Sequence, residues 1–486
     1  MTPPHRQGQP TIVSALWTSA LLVLPWVHAW APSPQSNTLP VLISWVCLCL
    51  LALSEHMPKP LAVARGWAWA ALISSAMGLV QYFGVADSLG GVVHVPAYLG
   101  DAVGNLRQRN QLATLTSMGV VAVLWWQGQG LRTRHACWML ALLALGNAAT
   151  GSRTGLLELV LVALLCVGWS WRQSTGQAAL SWRWSLATLA ICLLASALLP
   201  MALSAVTAQD VAGAVTRLGH DEGCGSRRVL WGNVLHLISL QPWTGWGWGE
   251  LKFAHYITPY PGERFCDILG NAHNLPLHLA VELGVPAAVG IVGGLLALIV
   301  RLKPWRIERP EHALAWGVLA VIGLHSLLEY PLWYGPFQIA TALCALMLWP
   351  AWPRLSWRWS QAIQLVGLGG LLLALLVAAD YWRMRQIYLP ASERFALWRA
   401  DPWDAARHTV FFEPAYRFAQ LTTTRVSAGN ASWVLDMGEQ MLHYSPEPRI
   451  VQAVIDSARL LGRDDLVTLH QQRMAQAFPT AASSAQ

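Results

Sequence analysis

Charge is what this sequence has least of. Only 12% of its 486 residues are Asp, Glu, Lys or Arg, whereas 55% are apolar, and the mean hydropathy is +0.40. Soluble domains carry about 25% charged residues, so an ordinary water-soluble fold is excluded and lipid must solvate much of the chain. Nucleotide signatures are missing as well. Without a Walker loop or a dinucleotide fingerprint the chain has no visible means of drawing on ATP or NAD, so any energy must arrive in a substrate. No Cys or His pair stands at metal-ligand spacing. Asp210, Asp221, Glu222, Glu250, Glu263 and Asp267 form no cation motif. No metal, cofactor or nucleic acid is expected.

Cysteine is nearly absent outside the apolar runs. Of eight, Cys47, Cys49, Cys137, Cys166, Cys192 and Cys344 fall inside them, leaving Cys224 and Cys266 in one long polar loop. If that loop faces an oxidising compartment, the two are expected to form a disulfide.

What is abundant is apolar sequence in runs that suit a ~30 Å hydrocarbon layer. We read about eleven spans, within a range of ten to twelve: Ile12–Trp30, Leu39–Leu53, Leu61–Phe83, Gln111–Trp126, His135–Ala149, Thr154–Trp169, Trp184–Val206, His273–Val300, His312–Leu328, Trp333–Trp349 and Ile363–Asp380. The expected fold is an all-α, polytopic membrane helix bundle. His5 and Arg6, Lys59 and Arg65, Arg132 and Arg134, Arg172 and Arg183, Arg301 through Arg309, and Arg354 with Arg358 fall together on one side. Positive loops stay cytoplasmic. That places the loop 207–272 and the tail 381–486 on the outer side of the membrane. The first span is read as retained, because no small-residue cleavage site follows Trp30. The 28 Trp residues suit interfacial anchoring.

Residues 1–380 are thus expected to be a membrane domain with a large outer loop. The polar tail reads as a small helical domain of tetratricopeptide-like helix pairs, its segments starting with Ala391–Arg399, suited to binding a partner.

Four polar stretches lie on the outer side and hold arginines that the charge rule disfavours there. They are Asn105 to Gln111, with Arg107, Gln108, Arg109 and Asn110; Gly151 to Gly155, with Arg153; Gly225 to Trp231, with Arg227 and Arg228; and Asn271 to Leu277, with His273 and Asn274, leading to Glu282. A single such arginine can be a headgroup anchor. Five together suit a diphosphate, because each guanidinium presents a planar fork of donors to phosphate oxygens. His273 among them can accept a proton from a hydroxyl nucleophile. At the outer end of the ninth span, His325 to Tyr334 forms a Pro-broken aromatic turn. Glu329 there is costly near lipid unless paired, so it should bond an Arg or orient His273, and Tyr330 is a candidate hydrogen-bond donor.

At these residues the sequence resembles the O-antigen ligase and polymerase superfamily, and within it the bacterial protein O-oligosaccharyltransferases of the PglL/PilO type. The resemblance rests on Arg107 through Thr114, Ser152 through Gly155, Ser226 through Trp231, Gly245 through Glu250, His273-Asn274 with Glu282 to Gly284, and Glu329 through Tyr334. Arg109 stands where many relatives have proline. The resemblance implies a glycosyltransferase of the inner membrane with its active site facing the periplasm. It would move a preassembled glycan from undecaprenyl diphosphate to Ser or Thr hydroxyls of a protein such as pilin. It further implies that His273 is the essential histidine and that Arg153 and Arg227 bind the diphosphate, with Gln108 and Tyr330 in supporting roles. Ligation to lipid A core and repeat-unit polymerisation are the enzymatic alternatives, against which the polar tail argues. A transporter of the lipid-linked glycan would show repeat symmetry and mid-membrane charges, whereas here the polar groups gather at one face.

Overall fold

The computed structural model describes residues 12–54, 58–172, 180–207, 223–349 and 357–479. His5, Arg6, Asp210, Asp221, Glu222 and Arg354 lie outside the described residues. Among those described there are helices and turns and no strand. The chain begins with α1 (Ile12–Val27), α2 (Thr38–Leu53), α3 (Pro60–Tyr82), α4 (Arg109–Gly128), α5 (Thr133–Ala149), α6 (Arg153–Arg172) and α7 (Trp182–Thr207). Next come α8 (Arg227–Leu240), α9 (Leu251–Ile257), α10 (Leu275–Leu283), α11 (Val285–Leu302), α12 (Pro310–Ser326), α13 (Gly335–Leu348) and α14 (Trp357–Arg385). The tail adds α15 (Pro402–Ala406), α16 (Glu413–Thr423), α17 (Ala431–Tyr444), α18 (Pro448–Leu460) and α19 (Asp464–Ala477).

Among the described residues, five stretches are long and apolar enough to cross a membrane: α3, α6, α7, α11 and Ser360–Tyr388. Leu16–Val27, Thr38–Leu53 and Gly335–Leu348 are shorter apolar helices. The chain is an integral membrane protein by this content. Each of the eleven expected segments is helical, but His273–Val300 is not one rod. It breaks at Gly284, whose φ is +86°, into α10 and α11. Val285 N–H reaches Pro242 O at 2.8 Å, so a distant loop takes the hydrogen bond that a continuous helix would keep. The expected tail helix Ala391–Arg399 is also absent. Two short 3-10 turns stand there, Ala391–Glu393 and Ala396–Trp398, and the Phe395 N–H is taken by Gln386 Oε1 at 3.0 Å.

Two compact units emerge. The first comprises Met1–His220 with Leu302–Leu375. Its centre is α4, which packs on α3, α5, α6 and α12. Small residues let these backbones approach: Gly119 meets Ala71, Gly146 meets Ser75, and Gly317 meets Val121. Lipid tails give helices no hydrophobic reason to associate, so close packing and interhelical hydrogen bonds must hold them. Asn147 on α5 supplies such bonds, from its Nδ2 to Thr116 Oγ1 at 2.8 Å and Ala113 O at 3.1 Å. Each is worth about 0.6 kcal/mol in such surroundings.

The second unit comprises Asp221–Arg301 with Leu376–Gln486. It joins the loop to the tail in one core. Tyr256 on α9 sits among Val434, Leu442, Ile450, Val451 and Val454 of α17 and α18, and its hydroxyl pairs with His470 Nδ1 on α19 at 2.9 Å. His443 Nδ1 pairs with Glu250 Oε2 at 2.6 Å, and Lys252 Nζ donates to Tyr444 O at 3.2 Å. Asp380 Oδ2 anchors the tail's entry by accepting from Thr409 Oγ1 and the N–H groups of Val410 and Phe411. In contrast, α11 buries only Ala288, so an apolar helix is left for lipid to cover.

Candidate active site

In the first unit, the N-terminal mouth of α4 is built from polar side chains that satisfy one another. Gln108 caps the helix, its Oε1 accepting from Gln111 N at 2.8 Å. Before it, Arg107 adopts φ +60° and donates to Ala29 O at 2.9 Å and Ala31 O at 3.2 Å, which ties the α1–α2 connection to α4. Arg109 forms an ion pair with Asp101 at 2.7 Å. Two of the expected diphosphate ligands are therefore already engaged in holding loops, and both remain partly exposed.

Asn110 is the meeting point of three sequence stretches. Its Oδ1 accepts from Ser152 Oγ at 2.6 Å and its Nδ2 donates to Glu329 Oε1 at 3.1 Å. Ser152 also accepts from Gly155 N at 3.1 Å, which caps α6 and leaves Arg153 as its first residue. Glu329 is thus bonded by Asn110, a partner that the sequence reading did not foresee. Beside it Tyr330 stacks on Tyr334, ring centroids 5.9 Å apart, and burial raises the Tyr330 phenol.

Beneath this cluster lies a feature that sequence reasoning missed. Thr114 Oγ1 is 2.6 Å from Glu158 Oε1 and 2.7 Å from His325 Nδ1, and 2.9 Å from Asn110 O. The hydroxyl has one hydrogen and cannot donate to all three, so the set is best satisfied with His325 donating from Nδ1 to Thr114 Oγ1. Glu158 is fully buried. The signal was there to find, since a carboxylate inside the apolar run of α6 is a functional candidate by default.

In the second unit, Ser226 caps α8 and its next two residues are Arg227, half-buried, and Arg228, exposed. Two guanidinium groups at the positive end of a helix dipole repel it and one another, so an anion is the natural complement. Cys224 and Cys266 are bonded, with Cα atoms 5.3 Å apart. Trp231 Nε1 on α8 donates to Ala272 O at 3.1 Å. The disulfide and this bond hold the peptide bearing His273 beside the helix that begins with Arg227.

His273 itself has φ +50°, a backbone state that a non-glycine residue rarely adopts, with its N–H bonded to Asn271 Oδ1 at 2.8 Å. Asn274 then caps α10 by accepting from Leu277 N at 3.0 Å. Two further stretches clasp behind it. Trp246 N–H donates to Val281 O at 2.9 Å and Gly247 N–H to Glu282 O at 3.0 Å, so the Gly245–Glu250 stretch packs on Glu282 to Gly284. Neither Gly245 nor Gly284 has room for a Cβ against the other strand of this clasp.

The structure therefore assembles the candidates in two groups. Asn110, Ser152 and Glu329 are bonded together in the first unit, with Gln108, Arg107, Arg109, Arg153 and Tyr330 on the same elements. Arg227, Arg228, His273, Asn274 and the disulfide belong to the second. Among the described residues no three His, Cys, Asp or Glu side chains gather as a metal group.

Comparison with known proteins agrees along the chain. Residues 102–126 match the model for a protein glycosylation ligase, residues 138–292 that for O-antigen ligase, and residues 313–486 that for the C-terminal part of a virulence factor membrane-bound polymerase. A general O-oligosaccharyltransferase of Acinetobacter baylyi is 22% identical over 398 residues, covering 79% of this chain and 67% of that protein. The O-antigen ligase match spans Arg153, Arg227 and His273, and the glycosylation-ligase match spans Arg107 to Asn110. The chain is a membrane glycosyltransferase, and its matched segments resemble the O-antigen ligase superfamily. Its resemblance within that superfamily is to the PglL-type protein O-oligosaccharyltransferases.

Proposed function

We propose that the chain transfers a preassembled glycan from undecaprenyl diphosphate to Ser or Thr hydroxyls of periplasmic proteins such as pilin. The observation that carries this reading is the pairing within the second unit: the strained His273 peptide is held by Trp231 and the Cys224–Cys266 bond beside a helix that opens with two arginines.

The acceptor hydroxyl attacks the anomeric carbon from the face opposite the lipid diphosphate. His273 takes the hydroxyl proton as the new C–O bond forms. The bond from the anomeric carbon to the diphosphate oxygen breaks, and its electron pair leaves with undecaprenyl diphosphate, which Arg227 and Arg228 stabilise. The anomeric configuration inverts. Arg153 is assigned to the same anion by resemblance, with Arg107, Arg109, Gln108, Asn110, Asn274, Glu329 and Tyr330 as supporting residues.

The charge pattern supports eleven spans with the loop and tail outside, in the bacterial inner membrane. Residues 1–380 then form the membrane domain and residues 381–486 a periplasmic helical domain in which α16 to α19 pair as tetratricopeptide-like hairpins. The polymerase match over the tail favours one rival, repeat-unit polymerisation. Incubating the purified protein with lipid-linked glycan and either pilin or lipid A core separates the readings. Sugar on a pilin Ser or Thr is expected; sugar only on lipid A core, or only longer lipid-linked chains, contradicts the proposal.

A further inference from the structure

The tail holds a cavity of about 430 Å³ between α16 and α17, and no residue named in the reaction lines it. Tyr416, Arg417, Gln420, Trp433, Asp436 and Gln440 line it. Trp433 stays 38% exposed, an unusual position for the largest apolar side chain of a periplasmic helix. The Tyr416 ring is fixed edge-on against Trp403, centroids 5.9 Å apart. Arg417 is held between the Glu413 carboxylate and Gln440 Oε1, 2.8 Å away.

Charge and polarity identify the occupant. Arg417 is paired with Glu413, and Arg407 on the rim is paired with Asp404 at 2.6 Å, so neither guanidinium offers an anion an uncompensated charge. A peptide anchored by apolar side chains needs an apolar pocket, yet among the described residues that line this cavity Met437 is the lone aliphatic side chain. What remains is a ring of planar donors and acceptors, Arg beside carboxylate beside amide, with two aromatic faces among them. Each hydroxyl of a sugar both donates and accepts, and the C–H groups on a pyranose face suit the negative face of an aromatic ring. The volume falls in the range of small-ligand sites, roughly 300–1,000 Å³.

We propose that this cavity is a saccharide-binding site, separate from the transfer chemistry, that takes a short neutral oligosaccharide with one ring stacked on Trp433. Binding there needs neither the lipid diphosphate nor His273, so it stands or falls apart from the proposed reaction. The test is saturation-transfer NMR on the full-length protein in detergent, with free hexoses, N-acetylhexosamines and their β-linked disaccharides as probes. Wild type and His273→Ala should bind a disaccharide alike. Trp433→Ala should bind it about tenfold more weakly, and Trp433→Phe, which keeps a ring to stack on, should recover much of the loss at an unchanged melting temperature. Absence of saccharide binding by the wild type, equal binding by Trp433→Ala, or loss in Trp433→Ala of binding to an acceptor peptide instead of a sugar would each overturn the assignment.

Discussion

At the scale of residues, the proposed chemistry rests on side chains carried by peptides that hydrogen bonds hold in place. His273→Ala should abolish transfer and leave expression and insertion intact, because the bond that shapes its peptide uses the main-chain N–H and Asn271; normal glycosylation by that variant removes His273 from the mechanism. Arg227→Ala should lower turnover by about 10²–10³-fold, the usual effect of deleting one preorganised charge stabiliser, and lysine should rescue it in part because it lacks the planar fork. His255 sets a pH limit of a different kind. Burial first, then the Arg264 charge, pushes its pKa from 6.5 down to about 3, while Nδ1 pairs with Tyr260. The unfolded chain accepts a proton near 6.5 and the folded chain refuses it, so stability is complete above that value and falls as the pH drops toward 3. Thermal melting between pH 7.5 and 4 should show this loss, and His255→Gln should flatten it. A slope unchanged by that substitution assigns the acid sensitivity elsewhere. Arg153, Arg227 and His273 were candidates from the sequence alone, as polar residues on the side that the charge pattern is expected to leave outside. Glu158 and Thr114 were not, because their meaning lies in three helices meeting at one hydroxyl.

At the scale of elements, the number of membrane spans is an expectation from sequence, whereas the helical state of the expected apolar segments follows from apolar run length. The break at Gly284 does not, because hydropathy is continuous through it and the cause is a set of backbone bonds from the Pro242–Gly247 loop. Only a glycine tolerates the φ of +86° there, and the facing Trp243 carbonyl excludes a Cβ. Gly284→Ala should therefore cost more than the ~1 kcal/mol of an ordinary positive-φ substitution and lower the melting temperature by several degrees, whereas Gly294→Ala, with open space around it in α11, should change little. Equal effects would mean that the clasp does not shape the His273 segment. The disulfide is the second such fastening. Closing a loop with a sequence separation of 42 is worth roughly 4 kcal/mol by chain entropy. Intact mass and thiol labelling without reductant should find Cys224 and Cys266 blocked; two alkylatable thiols in addition to the six free cysteines would refute the bond and weaken the periplasmic placement of the loop.

At the scale of the whole molecule, the sequence shows a loop and a tail as separate polar stretches, more than a hundred positions apart, but not that they share a core. Tyr256 inside the α17–α18 core, with His470 on its hydroxyl, is a pairing that no local pattern announces. The tail is thus a scaffold for the loop that bears His273 as well as a surface of its own. External protease should reach both in spheroplasts, and protection there with cleavage in inverted vesicles would reverse the assigned orientation. The most direct measurement of the central claim is mass spectrometry of pilin after incubation with purified enzyme and undecaprenyl-diphosphate-linked glycan, run side by side with wild type and His273→Ala. The expected result is one intact glycan on a Ser or Thr of pilin with wild type and none with the variant. Unmodified pilin with wild type, or equal modification by the variant, would contradict it.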